Sequence, residues 1–402
     1  MRSATVHAGW HLVGDDDLAA SHDGLAAAWS SDRSVVLAPT RRGVNPAWFR
    51  DALDRLPAAL AHDHVALLTS GSTGTPRLVV GTKSRARAMA SCIHVHQDNH
   101  AVARTVTLLP LTYSYAFVNQ WVWAHAHDRT LVVSPGLADV SATRALLRDG
   151  PDTMVCLVGP LFSLLARHVP DGEPLTSVTR VNFAGAPFPW PERAALARVF
   201  PRARVFNNYG CTEAMPRLTI TAMDALTGPS DLGVPLPGVE LGIDAAGELR
   251  FRSAYGAVGL VEDGAYREVA ADQWLGTQDV AVAHDDGRFA LLGRRSEVYK
   301  RHGEKVSVAQ QLEAVRAVWV GQAAAMMERD PAGDPAHVVV LAPTPSADQL
   351  RAVLKVFRAR FPRAHWPLRV DCVDTMPLLE TNKPDLQALA ATVRRVCWQL
   401  PR

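Results

Sequence analysis

Between residues 64 and 208 short apolar runs alternate with amphipathic helical stretches, and this alternation confines the chain to few folds. Candidate strands lie at 64–69, 103–109, 130–134, 153–159, 180–185 and 204–208. Helical periodicity fills the intervals near 84–97, 115–127, 141–148, 160–168 and 191–199. Strand followed by helix, repeated, is the pattern of an α/β fold with a largely parallel sheet. Upstream, residues 35–40 read as a short buried strand. A helix follows it, with Asn45 as cap, Pro46 in the first turn and Phe49, Leu53, Leu56 and Leu60 on one face.

The texture changes after about residue 218. Residues 231–292 are rich in glycine and short apolar runs and read as a small β-rich section. Beyond them, short strands mix with helices expected near 308–318, 346–360 and 384–397. The charged run Gly293-Arg294-Arg295-Ser296 suits an exposed linker. The expected division is therefore a large N-terminal domain, residues 1–292, and a small α+β C-terminal domain, residues 293–402.

Composition narrows the function classes. With 48% hydrophobic and 20% charged residues the chain is an ordinary globular one with ample core. A net charge of +2 gives no basic footprint for nucleic acid. The cysteines, at 92, 156, 211, 372 and 397, are scattered with no CxxC pair. That argues against a disulfide framework or structural zinc site and points to a reducing cytoplasm. The N-terminus lacks the apolar core of a signal peptide, and no run approaches the roughly 20 apolar residues of a membrane span.

The candidate chemistry begins at Thr69-Ser70-Gly71-Ser72-Thr73-Gly74-Thr75-Pro76-Arg77, where a strand runs into a loop of hydroxyls and glycines. Such a loop can turn several N–H groups toward an anion, or can simply be a polar turn. It lacks the GxxxxGK[ST] spacing of a Walker A loop. The order of residues resembles the phosphate loop of the adenylate-forming superfamily: acyl- and aryl-CoA ligases, luciferases and peptide-synthetase adenylation domains. Further segments match in order over most of the chain. Gly185-Ala186-Pro187 resembles the family's GAP segment and Asn208-Tyr209-Gly210-Cys211-Thr212-Glu213 its YGxTE segment. Gly247-Glu248-Leu249 and Thr277-Gln278-Asp279 resemble its GEL and TGD segments. Gly293-Arg294, with Lys300 and Gly303, is similar to the hinge segment, and Pro377 through Asp385 to the one carrying the catalytic Lys383.

The resemblance implies attack of an anion on the α-phosphorus of ATP, with Mg²⁺ present and pyrophosphate leaving. Positioning and charge neutralisation do most of such work. It implies that Thr69 and residues 70–75 hold the β- and γ-phosphates, with Arg77 close by. Tyr209 would lie along the adenine, with Gly185, Ala186 and Pro187 on its other side and Asn208 and Gly210 completing the segment. Thr212 would bond the α-phosphate and Glu213 would hold Mg²⁺, a hard cation suited to carboxylates. Asp279 would accept both ribose hydroxyls, Arg294 would contact ribose or phosphate, and Lys383 would bridge the attacking anion and the α-phosphate.

The sequence departs from the family in places. Arg77 stands for the usual lysine, Gln278 and Asn382 for glycines, and Ser296 for the Asp or Lys on which the C-terminal domain pivots. Asparagine tolerates left-handed turns, and a pivot need only absorb backbone change. Only 68 residues precede the loop, fewer than in the family. A compact variant, or a homodimer covering the exposed face, is expected.

The acid pocket is expected among Tyr113, Ser114, Phe183, Asn207 and Cys211. The segment Leu109–Ala116 has no acidic residue to hold an α-ammonium, which favours a small, aromatic or fatty carboxylate over an amino acid. Transfer to CoA or to the phosphopantetheine thiol of a carrier protein would follow, in bacterial secondary metabolism. Two alternatives stand beside this one: ATP-dependent activation of nitrite for diazotising an aryl amine, and a degenerate nucleotide-binding scaffold. Three HxH patterns, His62-Asp63-His64, His94-Val95-His96 and His125-Ala126-His127, invite a metal reading. The second and third fall in expected helices, where the spacing splays the rings apart, so ordinary exposed or hydrogen-bonded histidines are expected.

Overall fold

The computed structural model describes residues 5–20, 22–39, 46–70, 76–185, 188–301, 304–378 and 384–400. The chain divides into two compact units. The first holds residues 1–242, 250–277 and 283–290, the second 243–249, 278–282 and 291–402. Among the described residues no helix is long and apolar enough to cross a membrane.

The strand–helix alternation becomes the six-stranded sheet of the first unit. Its order is Thr219–Ala222, Arg204–Tyr209, Val178–Phe183, Thr153–Leu157, Arg104–Thr107, Thr130–Val133. Every pairing in it is parallel except that of Arg204–Tyr209 with Thr219–Ala222. A second, seven-stranded sheet is mixed. In it Trp10–Gly14, Val35–Ala38 and His64–Ser70 run parallel, and Thr5–His7, Pro76–Thr82, Gly259–Glu262 and Ala265–Glu268 join antiparallel. The fold is thus α/β with a mostly parallel sheet, as expected.

Alternation along the second sheet separates two cores. Val35, Leu37, Val65, Leu67 and Val79 enter the largest core, whereas Val36, Ala66, Leu68, Leu78 and Val80 pack on the opposite side with Phe49 and Leu53. Successive strand side chains face opposite ways, so near-continuous apolar runs mark strands buried on both faces. The largest core also takes Ala86, Met89, Ala90 and Ile93 from the helix Lys83–His96, and Met154 and Phe206 from the first sheet. The helix after residue 35 spans Pro46–Asp54, so Leu56 and Leu60 lie beyond its end. They still pack, half-buried, against the core of Phe49 and Leu53.

The helix Lys83–His96 begins at Thr82, whose side chain accepts from the Arg85 N–H at 3.1 Å. Lys83 is buried, and its ammonium donates to the carbonyls of Ala28, Trp29, Ser31 and Arg33 at 2.7–3.2 Å. It thereby takes up two carbonyls of the last turn of the helix Asp23–Ser30 and two of the segment that follows. The helix expected at 115–127 is Ser114–Ala116, a wider π-type stretch Phe117–Val122, and Trp123–Ala126. Such widened turns concentrate at functional sites.

The β-rich section is built of strands Asp231–Gly233, Val239–Ile243, Glu248–Ser253, Leu275–Ala283 and Phe289–Arg294. In the second unit a four-stranded sheet has the order Gln322–Arg329, Pro335–Ala342, Arg369–Cys372, Arg395–Gln399. Helices Val308–Arg316 and Ala347–Arg360 pack through Val315, Val353 and Phe357. The helix expected at 384–397 is corrected: Asp385 caps a short helix, Leu386–Ala391, and the chain then enters the strand Arg395–Gln399. Pairing with Arg369–Cys372 gives Val396 and Trp398 a ladder, which outweighs the helical periodicity.

Candidate active site

In the first unit the matched segments meet at the C-terminal ends of parallel strands, the usual place for ligands in open α/β sheets. Asn208 links two neighbouring strand ends, with its Nδ2 donating to Asn182 Oδ1 and to the Phe183 carbonyl, each at 3.1 Å. Gly185 follows with φ +73°, a left-handed conformation that glycine adopts freely. Tyr209 and Cys211 are half-buried against the largest core. At Gly210 a Cβ would lie 2.0 Å from the Pro216 carbonyl oxygen, so only glycine lets the chain fold back on itself here.

The turn Thr212–Ala214 presents the reactive groups. Thr212 Oγ1 and Ser114 Oγ share a hydrogen bond of 3.1 Å. Glu213 Oε1 accepts from Arg77 Nη1 at 3.0 Å, and Arg77 Nε meets Glu262 Oε2 at 2.9 Å. Arg77 thus spans two carboxylates through two nitrogens of one planar guanidinium. Glu262 thereby takes a part that its sequence position did not signal. Thr69 pairs with Arg77 where the strands His64–Ser70 and Pro76–Thr82 run antiparallel. The segment 69–77 therefore links two antiparallel strands, and Pro76–Thr82 is a strand beyond those expected from the sequence. Gly71, Ser72, Thr73, Gly74, Thr75 and the side chain of Ser70 lie outside the described residues, as do Ala186, Pro187, Asn382 and Lys383.

The expected pocket residues are distributed. Ser114 and Tyr113 start the π-widened helix beside Thr212, with Tyr113 N–H donating to the Pro110 carbonyl at 3.1 Å. Phe183 is buried edge-on between Phe162 and Phe188. Asn207 is buried and donates to the Asp231 carbonyl at 3.2 Å. Burial raises the pKa of Asp231, but hydrogen bonds from Arg288, Thr227 and Gly233 prevail and hold it below the ordinary value. A cavity of about 270 Å³ opens beside Asp231 and Arg288.

In the second unit Asp279 Oδ1 pairs with Arg294 Nε at 3.2 Å. Gln278 occupies the left-handed region at φ +63°, which glycine adopts without strain and other residues resist. Its N–H donates to Glu248 Oε1 at 3.0 Å, and Glu248 Oε2 meets Arg295 at 3.3 Å. These contacts hold the strained backbone in place.

The histidine patterns resolve differently from one another. His62 lies 3.5 Å from Asp32, and His96 meets the Ile220 carbonyl at 3.1 Å. Trp123, His100 and His127 gather around His94: its Nε2 is 3.1 Å from His100 Nδ1, its Nδ1 accepts from Trp123 Nε1 at 3.2 Å, and its ring stacks on His127 at 3.9 Å. No metal-holding cluster occurs among the described residues. Burial and the neighbouring His127 and His100 lower the His94 pKa to about 4, and burial with Arg301 lowers that of His337 to about 3. Both stay neutral in the fold while the unfolded chain takes up protons near its ordinary value of 6.5. Stability is therefore full above that value and falls as pH drops toward the folded values. By about pH 5 each is expected to cost its unit about 2 kcal/mol. Chemical denaturation at neutral pH and near pH 5 checks this, and His94→Gln should flatten the dependence; equal stability at both pH values would contradict it.

A two-sheet α/β unit with this hydroxyl–carboxylate turn has the fold of the adenylate-forming superfamily. The AMP-binding enzyme family is matched over residues 12–258, and the chain belongs to it. It is 29% identical over 348 residues to a probable non-canonical nonribosomal peptide synthetase, CymA, of Salinispora arenicola, covering 80% of this chain and 4% of that protein. It is 27% identical over 362 residues to novobiocin biosynthesis protein H of Streptomyces niveus, covering 84% of this chain and 58% of that one. The chain thus spans little more than half of one relative and a small part of the other. The crystal structure of the anthranilate CoA ligase AuaEII in complex with anthranoyl-AMP superimposes with a TM-score of 0.70 at 18% identity, covering 95% of this chain and 77% of that one. At that identity the likeness speaks for the fold.

Proposed function

We propose that the chain converts a carboxylate and MgATP into an acyl-adenylate and pyrophosphate. The observation that carries this reading is the turn at Thr212 and Glu213, its hydroxyl tied to Ser114 and its carboxylate to Arg77, in a chain of the AMP-binding family. A carboxylate oxygen attacks the α-phosphorus, the bond from that phosphorus to the bridging oxygen breaks, and pyrophosphate leaves with its electron pair. Thr212 donates to the α-phosphate, and Lys383 neutralises charge between the attacking oxygen and that phosphate. Asp279 accepts from the ribose hydroxyls, and Tyr209 lies along the adenine.

The donor set fits magnesium, because Glu213 offers a carboxylate beside two hydroxyls. Glu213 would hold the ion, whose bound charge offsets that of the phosphates. The segment Leu109–Ala116 carries no acidic group to clamp an ammonium, which supports a small or aromatic acid over an amino acid. The adenylate then passes to the thiol of CoA or of a carrier protein, whose sulfur displaces AMP.

Lys383→Ala is expected to lower acid-dependent pyrophosphate exchange by about 100-fold or more while ATP still binds. Exchange at the unsubstituted rate would remove the role given to this lysine.

A further inference from the structure

Arg217 lies between the Thr212 turn and the strand Thr219–Ala222 and is 2% exposed. Its Nη1 donates to the Pro216 carbonyl at 3.3 Å, while Nε and Nη2 have no partner. Two other arginines with orphan nitrogens differ, since the half-buried Arg288 and the buried Arg301 each face an aspartate, Asp231 and Asp330. Arg217 faces none. Its guanidinium carbon sits 4.4 Å from the centre of the Tyr115 ring, and that phenol donates to the Asn182 carbonyl at 2.6 Å.

The neighbouring acids do not supply a counter-charge. Burial, above all, raises the Tyr115 phenol well above its ordinary value and pushes the Cys156 thiol up to about 12, so both are neutral at physiological pH. Burial lowers the Arg217 pKa, but a guanidinium keeps its proton in proteins. An unpaired buried cation is strongly unfavourable. The unpartnered pair, Nε and Nη2, is one edge of the fork, whose two parallel N–H bonds match a carboxylate.

This edge belongs to the neighbourhood of the proposed chemistry. Tyr115 follows Ser114, whose hydroxyl meets Thr212. A Cβ on Gly210 would come within 3.0 Å of Arg217 Cα. Tyr115, Cys156 and Ala184 pack together as the apolar surroundings. We propose that the acid activated here carries a second carboxylate, remote from the reacting one, and that Arg217 binds it side-on. The substrate class is then a dicarboxylic acid, and Arg217 is the residue that selects it. The assignment rests on the adenylation reading above.

The test is pyrophosphate release with matched pairs, benzoate against isophthalate and hexanoate against adipate, with nitrite as a further arm. The unsubstituted chain is expected to prefer the diacid of at least one pair by about 30-fold in kcat/KM. Arg217→Met should lose that preference through a raised KM for the diacid, with monoacid turnover kept and a melting temperature at or above that of the unsubstituted chain. Preference for monoacids or for nitrite by the unsubstituted chain, which needs no variant, would overturn the second carboxylate and leave ATP-dependent activation standing. Equal losses for both members of a pair in a folded Arg217→Met would also overturn it. No turnover with any acid or nitrite would overturn the adenylation reading itself, and the assignment of Arg217 with it.

Discussion

Replacing Glu213 with alanine is expected to lower acid-dependent pyrophosphate release by about 1,000-fold, at the upper end for loss of one charge-stabilising group. Two functions leave with the carboxylate. It is the acidic group on the turn that would hold magnesium, and it fixes one edge of Arg77 at 3.0 Å. Without it Arg77 keeps Glu262 alone, at 2.9 Å, and its fork is free to rotate toward that partner. Glu213→Gln keeps the shape and a hydrogen-bond acceptor but not the charge, so it should recover little activity. Stability should change modestly, because the ion pair is partly solvated, with side-chain exposures of 22% and 14%. Steady-state rates across a magnesium titration, with a melting curve as control, check the prediction. A folded Glu213→Ala within about fivefold of the unsubstituted rate would remove Glu213 from the mechanism.

The second large effect is on folding. Gly210→Ala is expected to destabilise the first unit by about 3 kcal/mol or more, with loss of soluble protein. The added carbon would lie 2.0 Å from the Pro216 carbonyl oxygen and 2.9 Å from its carbon. These are backbone atoms of the segment that returns under the Thr212 turn, so no side-chain rotation relieves the overlap. Gly228→Ala is the control, since a Cβ there meets nothing within 4 Å. A melting temperature for Gly210→Ala equal to that of the control would show that the turn can open without cost.

The parallel sheet was legible because both of its faces are buried. Runs such as Met154-Val155-Cys156-Leu157 must then be apolar throughout, and the helices between them carry one apolar stripe. The antiparallel partner Pro76–Thr82 was less legible, since a leading proline and the preceding glycines read as loop. At the C-terminus, Leu386 to Gln399 carries enough helical periodicity to suggest one helix, and only the edge of Arg369–Cys372 makes its second half a strand. Long-range pairing of this kind leaves no local signal.

The site was legible in part for a similar reason. Thr212 and Glu213 sit in a short contiguous motif, whereas the partners that orient them come from far along the chain: Ser114, Arg77 and Glu262. Arg217 was hidden most thoroughly. An arginine four residues past a glutamate reads as an exposed cation, and only the fold shows it 2% exposed with one edge unpaired.

The central claim is that ATP is split at its α-phosphorus by a carboxylate. The direct measurement is to incubate the chain with ATP, Mg²⁺ and a panel of mono- and dicarboxylic acids, then follow pyrophosphate and record product masses. Acid-dependent pyrophosphate with a matching acyl-AMP mass is the predicted result. Bound ATP that yields neither pyrophosphate nor an acyl-AMP with any acid, or that yields ADP instead, would contradict it.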